Sequence, residues 1–208
     1  MKRILHIVAT PRGEESSTLK VSKIFLDGIK KRYPDYKIDE LDLYSADLPA
    51  LTVAMVAGKY VLLGGQGLTG SLKASWKPIE EHIGRFLTAD HYIVSAPMWN
   101  FNIPYLLKQY IDIIVQPKYL FRYTATGVLG LVKNRKMTVI TSRGGDYSAA
   151  SPFHAFDYQE PYLRAIFGFV GITDIKFINA QPMNMGPDLQ AKGLDKAKRE
   201  AAELAEEV

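Results

Sequence analysis

Short apolar runs rich in β-branched residues alternate along this chain with longer segments of helical period, and no other feature restricts the fold so much. The strand-like runs cover residues 3–8, 37–43, 91–95, 136–141 and 174–178. Residues 18–32, 76–87, 105–115, 159–170 and 189–207 read as helices, the first carrying Leu19, Val21, Phe25, Leu26 and Ile29 close to helical spacing. Neighbouring parallel strands need helical crossovers, so repeated βα units predict an α/β fold: a doubly wound five-stranded parallel sheet with helices on both faces. The 208 residues, 47% of them hydrophobic and none in low-complexity tracts, fit one domain spanning 1–208. Ligands of such sheets bind beyond the carboxyl ends of the strands, which directs attention to the loops 9–17, 97–104 and 142–158.

Residues 44–75 break the alternation and read as an insertion between the second strand and its following helix, with helical pieces around 52–62. Inside it, Gly65-Gln66-Gly67-Leu68-Thr69-Gly70 satisfies G-x-G-x-x-G, follows the strand-like Tyr60-Val61-Leu62-Leu63, and precedes Asp90 by about twenty residues, as a dinucleotide fingerprint asks. In that fingerprint the acid ends the second strand and reaches a ribose, whereas Asp90 precedes its strand. The motif is therefore read as a flexible glycine loop.

The chain contains no cysteine, which excludes disulfides, thiol redox chemistry, cysteine-ligated clusters and cysteine nucleophiles. Any redox work belongs to a borrowed cofactor. The apolar run from Lys2 to Val8 is too short for a signal peptide and no run is long enough to span a bilayer, so a cytoplasmic location without membrane contact is expected. A net charge of +4 is mild, and Lys30-Lys31-Arg32 and Lys133, Arg135 and Lys136 read as solvated surface, with no nucleic-acid partner expected. His6, His82, His91 and His154 show no metal-ligand spacing, so no metal is expected. No G-x-S-x-G places a serine nucleophile, and Glu80-Glu81 and Glu206-Glu207 lie on helix surfaces.

The three loops carry the chemistry. The first, Thr10-Pro11-Arg12-Gly13-Glu14-Glu15-Ser16-Ser17-Thr18, sets hydroxyls where a helix begins; helix-terminal amides and the dipole suit a phosphate, although one such hydroxyl is also ordinary capping. It lacks the Gly-Lys-Ser/Thr ending of a triphosphate loop, which favours a terminal monophosphate. The second, Pro97-Met98-Trp99-Asn100-Phe101-Asn102-Ile103-Pro104, is stiffened by proline at both ends and sets an amide side chain among flat groups, as a heteroaromatic ring requires. Capping of the core or a dimer interface would use the same residues. The third, Ser142-Arg143-Gly144-Gly145, brings unobstructed backbone amides close to a ligand, or is a plain turn. Together they suit a phosphate, a flat ring and a ring carbonyl, the parts of flavin mononucleotide (FMN).

With Phe121-Arg122-Tyr123 and Gly168-Phe169-Val170-Gly171-Ile172-Thr173, these loops make most of the chain resemble the FMN-dependent NADH:quinone oxidoreductases with azoreductase activity, which are flavodoxin-like flavoproteins. The resemblance implies a flavodoxin-like sheet and non-covalent FMN. It implies phosphate contacts from Thr10, Ser16, Ser17 and Thr18, ring contacts along Pro97, Met98, Trp99, Asn100 and Phe101, and a second ring-binding loop at Ser142, Arg143, Gly144 and Gly145. It further implies a ping-pong cycle, with hydride passing from NADH or NADPH to the flavin and then to a quinone or azo compound, and no obligatory catalytic side chain. A homodimer with the pocket near its interface is implied as well, with Phe101, Tyr123 and Phe169 shaping the pocket or its lid; core packing is the other role open to Phe169. Thr10 stands where serine is common, Trp99 where tyrosine also occurs, and residues 146–158 depart from the family pattern, which leaves substrate preference open. Other readings are a flavodoxin-like electron carrier, which the mild basicity disfavours, a general NAD(P)H:FMN reductase, and an acyl-carrier-protein phosphodiesterase, for which metal ligands and a nucleophile are missing.

Overall fold

A computed structural model describes residues 2–208. Five parallel strands form the central sheet: β1 (Arg3–Val8), β2 (Lys37–Asp42), β3 (His91–Ser95), β6 (Lys136–Ser142) and β7 (Asp174–Ala180), in the order β2-β1-β3-β6-β7. A separate antiparallel hairpin, β4 (Phe121–Thr124) and β5 (Gly127–Gly130), precedes β6. The helices are α1 (Ser17–Arg32), α2 (Val53–Leu63), α3 (Gly70–Leu87), α4 (Tyr105–Ile114), α5 (Gln159–Val170) and α6 (Pro187–Ala205).

Strand periodicity divides the core in two. Ile4, Ile93, Ile140 and Ile178 point toward α1 and α6, whereas Leu5, Ile7, Tyr92, Val94 and Val139 point toward α3, α4 and α5. Alanines 197, 201 and 205 let α6 lie close to α1; a Cβ on Gly28 would sit 2.7 Å from that of Ala205. The order of the sheet means that winding reverses between β1 and β3, and a crevice opens there beyond the carboxyl ends of the strands.

Three expectations change in detail. The helix expected over 76–87 begins at Gly70, and Tyr60 to Leu63 belong to α2 rather than to a strand. Trp76 joins these helices by donating its indole N–H to the Met55 carbonyl at 2.9 Å. The G-x-G-x-x-G segment thus connects two helices, and Lys118 Nζ donates to the Gly65 and Gln66 carbonyls at 2.5 and 2.7 Å. The hairpin was not expected from the pattern; it is held on the end of α5, where Val132 N donates to Val170 O at 2.9 Å.

Candidate functional site

Loops leaving β1, β3 and β6 meet at the carboxyl edge of the sheet. In the first, Ser16 caps α1 by accepting from Leu19 N at 3.4 Å, and its hydroxyl lies 3.4 Å from that of Thr10. The amides of Ser17 and Thr18 donate to no acceptor among the described residues. Two free amides and two hydroxyls at the positive end of a sixteen-residue helix form a set of donors for an anion. Thr18 is fully buried and shares a 2.7 Å hydrogen bond with Ser142, which links this loop to the third.

The second loop folds into a tight turn. Trp99 N donates to Asn102 O at 2.8 Å and Asn102 N returns a bond to Trp99 O at 2.9 Å, with Asn100 and Phe101 between them at φ +47° and +69°. Both central residues of a type I′ turn must be left-handed, which asparagine tolerates and phenylalanine resists. The turn leaves the amides of Asn100 and Phe101 without acceptors among the described residues, and the Asn100 side chain free. Trp99 and Phe101 stay exposed, and Phe156 comes to 5.4 Å from Phe101 between ring centroids.

In the third loop Gly144 O accepts from Met183 N at 3.1 Å and Asn184 N at 2.9 Å. A trans peptide sets the next N–H opposite its carbonyl, so the Gly145 amide faces away from Asn184, and it donates to no acceptor among the described residues. Arg143 contributes only backbone to this surface. Its side chain is 1% exposed and turned inward, donating Nε to Thr141 Oγ1 at 3.1 Å and Nη1 to Asp157 Oδ2 at 2.8 Å. Burial lowers its pKa from the usual value, against the pull of Asp157 and Glu160. Asp157 and Gln159 were not singled out from the sequence, yet both are buried at the junction of the second and third loops.

Tyr123 and Phe169 do not join Phe101 within one chain. Phe169 lies near the C-terminal end of α5, beside the amino edge of the sheet, with its ring 4.7 Å from that of Phe121, and Tyr123 follows on the same hairpin at 5.7 Å. A cavity of about 740 Å³ lies behind the third loop, between residues 143–149, α5, β7 and α6, where Arg164 pairs with Glu160 and Lys196 with Glu200. A triad-like line does exist: Glu40 lies 3.3 Å from His6, whose Nε2 shares a 2.8 Å bond with Ser95. Ser95 is completely buried, so no substrate reaches it.

A family model described as a flavodoxin-like fold matches residues 2–205. A protein of Nitratidesulfovibrio vulgaris (strain DP4) named FMN-dependent NADH:quinone oxidoreductase is 38% identical over 98% of this chain and 100% of its own length. One of the same name from Nostoc punctiforme is 41% identical over 95% of both. Among solved structures, an azoreductase from Bacillus anthracis str. Sterne aligns over the whole of both chains with a TM-score of 0.91 and 29% identity. An FMN-dependent NADH-azoreductase from Bacillus anthracis str. Ames Ancestor, solved with FMN, aligns over 100% of this chain and 99% of its own with a TM-score of 0.88 and 31% identity.

Proposed function

We propose a function from one premise: this chain belongs to the flavodoxin-like fold family and stands among its FMN-dependent NADH:quinone oxidoreductases. It is an FMN-dependent oxidoreductase that reduces quinones and aromatic azo compounds. Bound FMN supplies a ring that takes hydride from a reduced nicotinamide and gives it to the acceptor. One observation carries the assignment of residues: unpaired amides from three loops converge where the winding of the sheet reverses.

Thr10, Ser16, Ser17 and Thr18, with the α1 amides, hold the phosphate. Pro97, Met98, Trp99, Asn100 and Phe101 run along the ring, Asn100 offering its side-chain amide and two backbone donors lying in the turn. Ser142, Gly144 and Gly145 face the ring from the other side, and donors there favour negative charge on its carbonyl edge. Arg143 supports that loop from inside. None of the ring-facing side chains ionises near neutral pH, so the chain works by positioning and by its dipoles.

NADH is the donor. The chain is one domain over residues 1–208 and works as a homodimer in the cytoplasm. Exposed Val53, Val56, Tyr60 and Leu63 on α2, the last three lining a groove of about 390 Å³ against α4, supply an apolar face for a second copy, and no helix among the described residues is long and apolar enough to cross a membrane.

Fluorescence titration of the apoprotein with FMN and riboflavin tests this reading, followed by steady-state turnover with NADH and a small quinone. FMN should bind much more tightly than riboflavin, and Ser17→Ala should narrow the gap by weakening FMN alone. Binding of neither flavin would end the reading. FMN binding without turnover would make the protein an electron carrier.

A further inference from the structure

We infer that Asp157 and Gln159 are positioning residues: through Arg143, the first turn of α5 sets the separation of the two ring-facing loops, and with it recognition of the flavin ring. The inference rests on the FMN reading above. β3 and β6 are bonded to each other as far as Met98 N to Ser142 O at 2.9 Å, after which one chain enters the Trp99–Asn102 turn and the other the glycine loop. Beyond that bond, the start of α5 reaches both. Asp157 Oδ2 accepts from Arg143 Nη1 at 2.8 Å, Gln159 Nε2 donates to Ala96 O at 3.3 Å and Pro97 O at 3.0 Å, and Tyr158 N donates to Phe101 O at 3.0 Å. The carboxylate is fixed to the helix itself, since Asp157 Oδ1 accepts from Gln159 N at 3.0 Å and Glu160 N at 3.1 Å. The brace therefore fastens the root and tip of the aromatic turn and the base of the glycine loop to one rigid element.

Its chemistry is poorly suited to simple filling. Gln159 is fully buried with Oε1 lacking a hydrogen-bond donor, and Arg143 is 1% exposed with Nη2 making no hydrogen bond, only an ion pair with Glu160 at 3.9 Å. An apolar side chain would fill the Gln159 site and remove the unpaired Oε1, but it would leave the buried Ala96 carbonyl and the Pro97 carbonyl without their side-chain donor. What it would forfeit is the hold on Ala96 and Pro97, and hence the aim of the Asn100 and Phe101 amides. Those amides meet the ring, whereas the phosphate is held by α1, on a different element.

The decisive variant is Gln159→Met, which keeps the volume and removes both the loop contacts and the unpaired acceptor. Its apoprotein should stay folded and melt modestly below wild type, because the Ala96 and Pro97 carbonyls lose their donor. FMN and riboflavin should both bind more weakly by the same factor, on the order of tenfold, with a shifted flavin absorption band and reduction potential. Hydrogen exchange at the hydrogen-bonded Met98, Trp99 and Asn102 amides of the apoprotein should quicken. Asp157→Asn, which removes the nearer of the two carboxylates facing Arg143, should act in the same direction. Wild-type flavin affinity, spectrum and exchange in Gln159→Met would overturn the brace, as would a loss confined to FMN. If the wild-type protein bound no flavin, the cofactor reading would fall, and unchanged exchange in the apoprotein would then separately remove the brace.

Discussion

Phe101 holds a backbone conformation that costs a bulky residue about 1–2 kcal/mol, at φ +69° in the middle of the aromatic turn. Strain that glycine would relieve is placed where the ring is expected to lie, so stability and function should separate there. Phe101→Gly should raise apoprotein stability by about 1 kcal/mol while weakening flavin binding and turnover; thermal melts beside FMN titration check both halves. Asn100→Gly keeps the turn and deletes the side-chain amide, so it should lower FMN affinity without loss of stability, whereas leucine would add strain at φ +47° and blur the result. A buried residue far from the site shows a different effect. His91 lies at the start of β3 with Nδ1 unpaired and Nε2 3.0 Å from Thr138 Oγ1, and burial pushes its pKa from 6.5 down to about 4. The folded protein keeps it neutral while the unfolded chain takes a proton below about 6.5, so its contribution is complete above that pH and is lost as pH falls toward 4. That loss amounts to about 3 kcal/mol, and urea denaturation between pH 4 and 6.5 should show a flatter pH dependence in His91→Gln than in wild type.

At the scale of elements, the hairpin is the piece most exposed to disruption. Gly130 lies so close to the end of α5 that an added Cβ would meet Gly171 N and the Val170 carbonyl carbon at 2.4 Å, with backbone rather than a flexible side chain in the way. Gly130→Ala should lower stability by about 1–3 kcal/mol and move the hairpin, with little change in FMN affinity for the same chain; melts and titration would show whether the two effects are separate. This hairpin was hidden because its strands are four residues each and the second begins and ends in glycine, too little pattern to register. The inner strands β1, β3 and β6 were legible because each is paired on both sides and largely buried, which favours apolar, β-branched runs. α3 was read short because Gly70 to Ser75 carry few apolar groups, and Trp76, held by α2, begins its buried face. The candidate site divides in the same manner. Hydroxyls at a helix start, paired glycines and an aromatic loop announce themselves locally, whereas the inward turn of Arg143 depends on Asp157, fourteen residues on, and a polar residue before a helix reads as a plain cap.

For the whole molecule the decisive fact is that Phe101 and Tyr123, exposed by 44% and 64%, sit at opposite ends of the sheet. β3 alone has five residues, so the two edges stand at least ~15 Å apart, and Tyr123 cannot cover the ring-facing loops of its own chain. A second copy would bring the hairpin of one chain toward the carboxyl edge of the other, where Phe101 and Phe156 leave an open aromatic surface. The apolar α2 face and the groove beside it would be buried by the same association, which needs about 1,200–2,000 Å² to be stable. Phe169 packs on the hairpin and the core, so Phe169→Ala should cost stability as well as disturb the lid, and it is the poorer probe. Tyr123→Ser is the better one: the exposed ring can be removed without a cavity, and it should raise the Michaelis constant for quinones or lower turnover several-fold while leaving FMN affinity nearly unchanged. Dilution should act likewise, reducing turnover per chain and making flavin fluorescence more open to iodide quenching as the dimer separates. Light scattering and kinetics over one concentration series decide the matter, because a monomer with full turnover and a Tyr123→Ser variant with wild-type quinone kinetics would leave the site complete within a single chain.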